Sequence, residues 1–113
     1  MIRARHAVFV LGLTLVSPFI APVALADDPT AERQARLKHL LVQDCGSCHG
    51  LRMTGGLGPA LTRDAIADKP RDYLIATVTH GRPGTAMPGW NALLNEHDIA
   101  WLVDLLLEGY PKP

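Results

Sequence analysis

Two cysteines separated by two residues and followed by a histidine form the most informative stretch of the sequence, Cys45-Gly46-Ser47-Cys48-His49. This spacing is typical of covalent haem attachment. On a helix-like turn both sulfurs can reach the two vinyl groups of the ring, and the next side chain comes to lie beneath the iron. We therefore interpret Cys45 and Cys48 as the attachment residues for one haem c, and His49 as the proximal ligand of its iron.

Three other interpretations of the two cysteines are open at this point: a structural disulfide, a thiol–disulfide redox pair and half of a zinc site. A redox pair usually follows a buried strand, and the residues before Cys45 do not predict one. A zinc site needs four ligands, and the fourth could come only from scattered histidines: His39, His80 and His97. Haem attachment remains the interpretation that the pattern favours.

The first 26 residues have the features of a cleaved secretory signal peptide. Arg3 and Arg5 give a positively charged start, residues 7–16 form an apolar run, and residues 24–26 form a small-residue cleavage site. The apolar run is too short to span a bilayer comfortably, so an uncleaved anchor is disfavoured, and separated arginines favour the general secretory route. We expect export to the periplasm of a Gram-negative bacterium and a mature domain of residues 27–113 without a stable membrane anchor.

The expected mature domain of 87 residues is near the size at which an unaided apolar core is marginal. A covalently held haem would add a large apolar surface for the chain to pack against. Without Arg3 and Arg5, the eleven Lys and Arg residues of the chain become nine, against eleven Asp and Glu, a formal charge of −2. This balance argues against nucleic acid or an anionic membrane as a partner.

Helical patterns account for the regular structure of the mature domain, and no convincing alternating strand is present, so the sequence predicts an all-α fold. The first helix is predicted to open at Asp28 and Pro29, as N-cap and first helical residue. Its apolar face runs into the cysteine motif, and its charged residues are expected in water. The apolar set is Leu37, Leu40, Leu41 and Cys48; the charged set is Glu32, Arg33, Arg36 and Lys38.

Three further helices are predicted. A short one lies within residues 62–68, and another runs from Pro70 to His80 and stops at Gly81. In the last helix Asn95 and Asp98 have the spacing of a capping box, and Gly109 ends it. Its core face has the helical spacing i, i+3, i+4, i+7: Ile99, Leu102, Val103 and Leu106.

One glycine- and proline-rich loop follows the haem motif, and a second follows the third predicted helix. In residues 50–61 the glycines would let the backbone approach the ring. The Pro59 carbonyl is a candidate acceptor for the second ring nitrogen of His49, and Leu61 would cover the ring on that side.

In residues 80–90 Met87 is the candidate sixth ligand of the iron, and His80 is its rival. The other methionines are less suitable, because Met1 leaves with the signal and Met53 lies only four residues from His49. Arg82 either neutralises a haem propionate or is an exposed loop charge.

Taken together, the motifs resemble those of the small class I monohaem cytochromes c across essentially all of residues 27–113. The cysteine motif follows one helix, Gly58-Pro59-Ala60-Leu61 comes behind it, and Met87-Pro88 precedes a closing helix. Within that class, residues 44–52, 54–62 and 80–90 look like the NirC-type cytochrome encoded beside cytochrome cd-type nitrite reductases. The resemblance implies the class I fold, about four helices around one covalently bound haem.

The resemblance also implies a function. It indicates a monomeric, periplasmic one-electron carrier, which takes electrons from a quinol-linked donor and passes them to the nitrite reductase. The alternative is a redox role in making the d-type haem of that reductase. A third hypothesis is a small haem enzyme with a labile sixth ligand acting on nitrite or nitric oxide, but no distal acid–base residue is evident. We expect a carrier rather than an enzyme.

Overall fold

The computed structural model describes residues 28–112, so the predicted signal peptide lies outside the described residues. Within this part of the chain the regular structure is entirely helical, as predicted, and no strand occurs. The elements are α1 (Ala31–Leu40), a π-helical turn (Leu41–Cys45), α2 (Gly46–His49), α3 (Arg63–Ile66), α4 (Arg71–His80) and α5 (Glu96–Leu107). The first three of these elements follow one another without a break. They form one helical stretch, which carries both cysteines and His49.

The start of α1 differs from the sequence prediction. Thr30 is the N-cap, and its hydroxyl accepts a hydrogen bond of 3.3 Å from the Arg33 N–H. The predicted cap, Asp28, lies two residues too early, because a capping side chain must reach a free N–H of the first turn. The predicted apolar face is present, with Leu37 and Leu41 each 1% exposed.

α5 is the central helix of the fold. The predicted capping box is confirmed: the Asn95 side chain accepts from the Asp98 N–H at 2.8 Å, and the Asp98 carboxylate accepts from the Asn95 N–H at 3.4 Å. The helix packs against α1, α3 and α4. All four residues predicted for its core face are buried: Ile99, Leu102, Val103 and Leu106.

The contact between α1 and α5 includes an ion pair that the sequence analysis missed. Arg33, which was predicted to lie in water, donates to Asp98 from Nε at 3.1 Å and from Nη2 at 2.6 Å. Asp98 is 2% exposed, so the pair links the two helices at the edge of the core. On the same contact, the Lys38 ammonium lies 6.0 Å from the centre of the Trp101 ring, so Trp101 also meets the first helix here.

The core is formed where α1, the π-helical turn and α5 meet the loops that follow the cysteine motif and α4. Its buried residues include Met53 from the first loop and Leu94 from the segment before α5. α4 contributes no fully buried residue; its apolar side chains Leu74, Ile75 and Val78 are half-buried against the core. None of the helices in residues 28–112 is long and apolar enough to cross a membrane.

Candidate haem-binding site

Cys45 and Cys48 lie one helical turn apart, at the end of the π-helical turn and within α2. Both are half-buried free thiols. Burial, with a smaller effect from the neighbouring Asp44 carboxylate, raises the pKa of the Cys45 thiol to about 11. A thiol in exchange chemistry usually has a lowered pKa, so this environment does not favour the redox-pair interpretation. Nor do three or more His, Cys, Asp or Glu side chains group together as metal ligands anywhere within residues 28–112.

His49, at the end of α2, is buried with 8% of its surface exposed. Its Nδ1 lies 2.7 Å from the Pro59 carbonyl oxygen. Because a carbonyl can only accept, Nδ1 must carry the proton, and the lone pair is then on Nε2. The predicted contact between His49 and Pro59 is therefore present. It sets both the ring orientation and the tautomer that a metal-binding histidine needs.

The loop of residues 50–61 folds back on the cysteine motif through backbone hydrogen bonds. The Gly58 N–H donates to the Cys48 carbonyl at 2.9 Å, and the Gly55 N–H donates to the His49 carbonyl at 2.8 Å. Gly58 lies so close to the imidazole that a Cβ there would be 2.8 Å from His49 Nδ1 and Cε1. A side chain at this position would displace the ring, so the glycine allows the loop to support the histidine from beneath.

Met53 anchors this loop in the core. Its side chain is 1% exposed, and its backbone has the positive φ of 58° that residues other than glycine rarely adopt. The Met53 N–H donates to the Gly50 carbonyl and its carbonyl accepts from the Leu61 N–H, both at 2.8 Å. Leu61 itself is half-buried against the core.

Met87 is half-buried in the loop of residues 81–90, which folds back on the last turn of α4. The Arg82 N–H donates to the Met87 carbonyl at 3.1 Å, and the Trp90 N–H donates to the Val78 carbonyl at 2.9 Å. Gly81, at φ 69°, ends α4; a Cβ there would lie 2.5 Å from the Met87 carbonyl oxygen. The two ends of the loop are therefore held close together by backbone contacts.

The other two residues predicted near the distal side lie on the surface. His80 is the last residue of α4 and is exposed. Arg82 is also exposed, and its side chain takes part in no hydrogen bond or ion pair among the described residues. The structure thus brings Cys45, Cys48, His49 and Pro59 together in one cluster, and it places Met87 in a separate loop.

These residues fit a covalently attached haem. The donor set is two thiols on one helical turn and an imidazole whose Nε2 is available, and Gly58 leaves the space that the imidazole occupies. The half-buried apolar residues of α4 add surface of the kind that a flat apolar ring needs. Sequence reasoning missed two features of the site, the left-handed conformation of Met53 and the hydrogen bonds of Thr85. Neither is visible in residue spacing, because both depend on how a loop closes.

Comparison with known proteins places the chain among c-type cytochromes. A family model described as cytochrome c oxidase, cbb3-type, subunit III, matches residues 32–106. Cytochrome c55X of Stutzerimonas stutzeri is 78% identical over 113 residues, which covers 100% of both chains. These matches extend over both predicted loops and both predicted terminal helices.

Two solved structures are similar in fold and sequence. A c-type cytochrome NirC superposes with a TM-score of 0.73 and 64% identity, covering 75% of this chain and 100% of that one. A dihydro-haem d1 dehydrogenase, NirN, in complex with DHE superposes with a TM-score of 0.61 and 31% identity, covering 66% of this chain and 16% of that much longer one.

Proposed function

The chain belongs to the c-type cytochromes, in the group that includes cytochrome c55X and NirC, and on that premise we propose that it donates electrons to a cytochrome cd-type nitrite reductase. It is an electron-transfer protein with a covalently bound haem c, and its resemblance to NirC supports a place in denitrification. The observation that carries the haem site is the His49 ring, buried, fixed by Pro59 and adjacent to both cysteines, and the 64% identity to NirC supports the choice of partner.

Each site residue has a defined task in this proposal. Cys45 and Cys48 would hold the haem through thioether bonds, and His49 and Met87 would bind its iron. When bound, the haem supplies a one-electron couple between ferrous and ferric iron. If protein side chains occupy both axial positions, no position is open to a small substrate, and little rearrangement accompanies a change of charge. A closed iron site and a small rearrangement on change of charge both suit an electron carrier.

The surface charges support a transient encounter with a mildly acidic partner face. Residues 50–90 contain five Lys and Arg against three Asp. Two of these bases are paired in the structure, Lys69 with Asp68 and Arg71 with Asp104. The other three are exposed: Arg52, Arg63 and Arg82. Encounters between electron carriers bury little surface and are short-lived, and the carrier acts as a monomer that alternates between its quinol-linked donor and the reductase.

The first 26 residues are proposed to be removed after export, which places the mature protein in the periplasm. The basic start, the apolar run and the small-residue cleavage site of the sequence support this. Covalent haem attachment after export suits the same compartment. A mass measurement of the purified haem protein tests the assignment, since cleavage before Asp27 would leave 87 residues and one haem.

Stopped-flow mixing of the reduced protein tests the reductase as partner. It is mixed with nitrite alone and then with nitrite and a catalytic amount of cytochrome cd-type nitrite reductase. We expect rapid oxidation only when the reductase is present. Oxidation by nitrite alone would contradict a closed iron site, and no oxidation in either mixture would contradict the choice of partner.

Substitution Met87→Ala tests the proposed distal ligand. The variant should keep its haem, because both cysteines lie on a different element. Its reduction potential should fall, and external ligands such as imidazole should bind to the iron. Loss of a thioether ligand removes a group that favours the reduced state. His80→Ala is the control, since His80 is exposed, and should leave both properties unchanged. An unchanged spectrum and potential in Met87→Ala would show that another residue is the sixth ligand.

A second candidate function is redox work in the assembly of a d-type haem. The similarity to part of a dihydro-haem d1 dehydrogenase, a protein solved in complex with DHE, favours it. A dehydrogenation releases electrons that a one-electron carrier could accept in successive steps. Mixing the ferric protein with that dehydrogenase and its dihydro substrate should then reduce it faster than the substrate alone does. Failure of this reduction, together with rapid transfer to nitrite reductase, would favour the first candidate.

A further inference from the structure

The Thr85 hydroxyl lies at the centre of the loop that carries Met87. It donates a hydrogen bond of 2.6 Å to the Arg82 carbonyl and accepts one of 3.2 Å from the Met87 N–H. Among the hydrogen bonds of residues 28–112, Thr85 supplies the only side-chain bonds made within residues 81–90. One hydroxyl therefore joins the beginning of the loop to the residue that the proposed function assigns to the iron.

The two backbone segments that Thr85 joins are also in direct contact. The Arg82 N–H donates to the Met87 carbonyl at 3.1 Å, and the Thr85 N–H donates to the Arg82 carbonyl at 3.0 Å. Arg82, Thr85 and Met87 thus form a small closed ring of hydrogen bonds. The following residue, Pro88, restricts the backbone of Met87 to extended conformations, so the ring and the proline together fix the direction in which the Met87 side chain leaves the loop.

Packing contributes little to the position of this loop. Most of its residues are exposed, including Arg82, Thr85 and Ala86, and Met87 itself is only half-buried. On the proximal side, by contrast, the corresponding loop is anchored by the fully buried Met53. Within the polypeptide, hydrogen bonds rather than apolar contacts therefore hold the Met87 backbone in place.

We propose that Thr85 is a positioning residue for the axial methionine, whose hydroxyl holds the Met87 backbone so that the thioether stays directed at the iron. This inference rests on the proposed function, because it takes Met87 as the sixth ligand. Without the hydroxyl, the loop would open more often, and an external ligand would compete for the iron more successfully.

Imidazole binding to the ferric haem protein measures this competition. Thr85→Val has nearly the same shape and lacks the hydroxyl, so both bonds are lost without a cavity. Since a hydrogen bond contributes between about twofold and about tenfold to an equilibrium, imidazole should bind to Thr85→Val about tenfold more tightly. Thr85→Ser keeps the hydroxyl and should bind it as the unaltered protein does. The matched control is Thr77→Val, which loses a 2.8 Å bond to the Tyr73 carbonyl within α4 and should have no effect.

Amide hydrogen exchange of Met87, followed by NMR in the reduced protein, reports on the bond itself. The Met87 N–H should exchange faster in Thr85→Val than in Thr85→Ser or Thr77→Val. A purely structural role would loosen the whole domain and accelerate exchange throughout α5 as well, which would overturn the proposal.

Comparing imidazole binding in Met87→Ala and Thr85→Val distinguishes an error in the role of Thr85 from an error in the ligand assignment. If Met87→Ala binds imidazole more tightly than the unaltered protein while Thr85→Val does not, methionine is the ligand and the positioning role of Thr85 is refuted. If Met87→Ala and the unaltered protein bind imidazole equally, the ligand assignment itself is wrong, and the role of Thr85 falls with it.

Discussion

Removing one partner of the ion pair between Arg33 and Asp98 should cost more stability than breaking an exposed pair, because Asp98 is buried, and a second pair in the same domain provides the comparison. Arg33 contacts Asp98 at 2.6 and 3.1 Å, and the Asp98 side chain is only 4% exposed. Arg71 contacts Asp104 at 2.6 and 2.7 Å between α4 and α5, but these side chains are 47% and 44% exposed. The two pairs therefore have similar geometry and different burial.

Substitution Asp98→Asn removes the charge and keeps the size of the side chain, together with an oxygen that can accept the Asn95 N–H. Removing one partner of a buried ion pair costs about 3–5 kcal/mol. The Arg33 side chain is 35% exposed, so water can restore part of its solvation, and we expect the free energy of unfolding to fall by about 2–3 kcal/mol. For Asp104→Asn, in which an exposed pair is broken, the expected loss is at most about 1 kcal/mol.

Guanidinium chloride unfolding of the oxidised haem protein, followed by circular dichroism, measures both losses. Dependence on pH gives a second readout. The Arg33 guanidinium, chiefly through its hydrogen bonds, holds the pKa of Asp98 below its ordinary value, although burial opposes this. A depressed pKa in the folded state stabilises the protein above the pKa of the unfolded state, and this contribution is lost as the pH falls through the folded value. The difference between the unaltered protein and Asp98→Asn should therefore be constant near neutral pH and shrink below about pH 4.

Equal losses in Asp98→Asn and Asp104→Asn would refute the argument from burial. A difference between the unaltered protein and Asp98→Asn that persisted undiminished in acid would also refute it, since the lost interaction would then not be that of a charged carboxylate.

Two further predictions concern the loop after the cysteine motif. Gly58→Ala should shift the reduction potential and weaken His49 binding to the iron, because the added Cβ would lie 2.8 Å from the imidazole; Leu57→Ala, at the preceding and exposed position, should leave the potential unchanged. Met53→Ala should lower the free energy of unfolding by about 2–4 kcal/mol, since this side chain is 1% exposed. Leu57→Ala, at a position 92% exposed, should change it by less than about 0.5 kcal/mol, and equal effects in thermal unfolding would contradict the assignment of Met53 to the core.

Local patterns in the sequence predicted the features that depend on neighbouring residues. The capping box of Asn95 and Asp98 is such a feature, because both members lie within one turn of the same helix. Periodicity placed Arg33 in water, and it could not reveal that the carboxylate of Asp98, 65 residues away, comes within 2.6 Å. Contacts between residues distant in the sequence depend on how the helices cross, and helical periodicity in a single sequence does not predict that crossing.

The same distinction applies to the candidate site. The cysteine motif and the acceptor at Pro59 could be predicted because the residues involved lie close together in the sequence. The positive φ of Met53 could not, since methionine has no preference for that conformation and adopts it here in a loop that also buries its side chain. Thr85 was missed for a related reason: hydroxyl residues in loops are common, and only the closed loop shows that this one meets Arg82 and Met87.

The two proposed axial ligands are held in unequal ways, and this bears on reactivity. His49 ends a continuous helical stretch, is 8% exposed and is supported by a loop bonded to the carbonyls of Cys48 and of His49 itself. Met87 lies in a largely exposed loop that depends on hydrogen bonds through Thr85, on the backbone bond from Arg82 to Met87, and on backbone bonds from Trp90 and Asn91 to α4. Regions with few buried contacts open at lower free energy than the global unfolding transition. The methionine side should therefore be released first by acid, heat or a competing ligand, while the histidine remains. Oxidation of the reduced protein by nitrite alone would then mean that this loop opens readily and that the iron site is not closed.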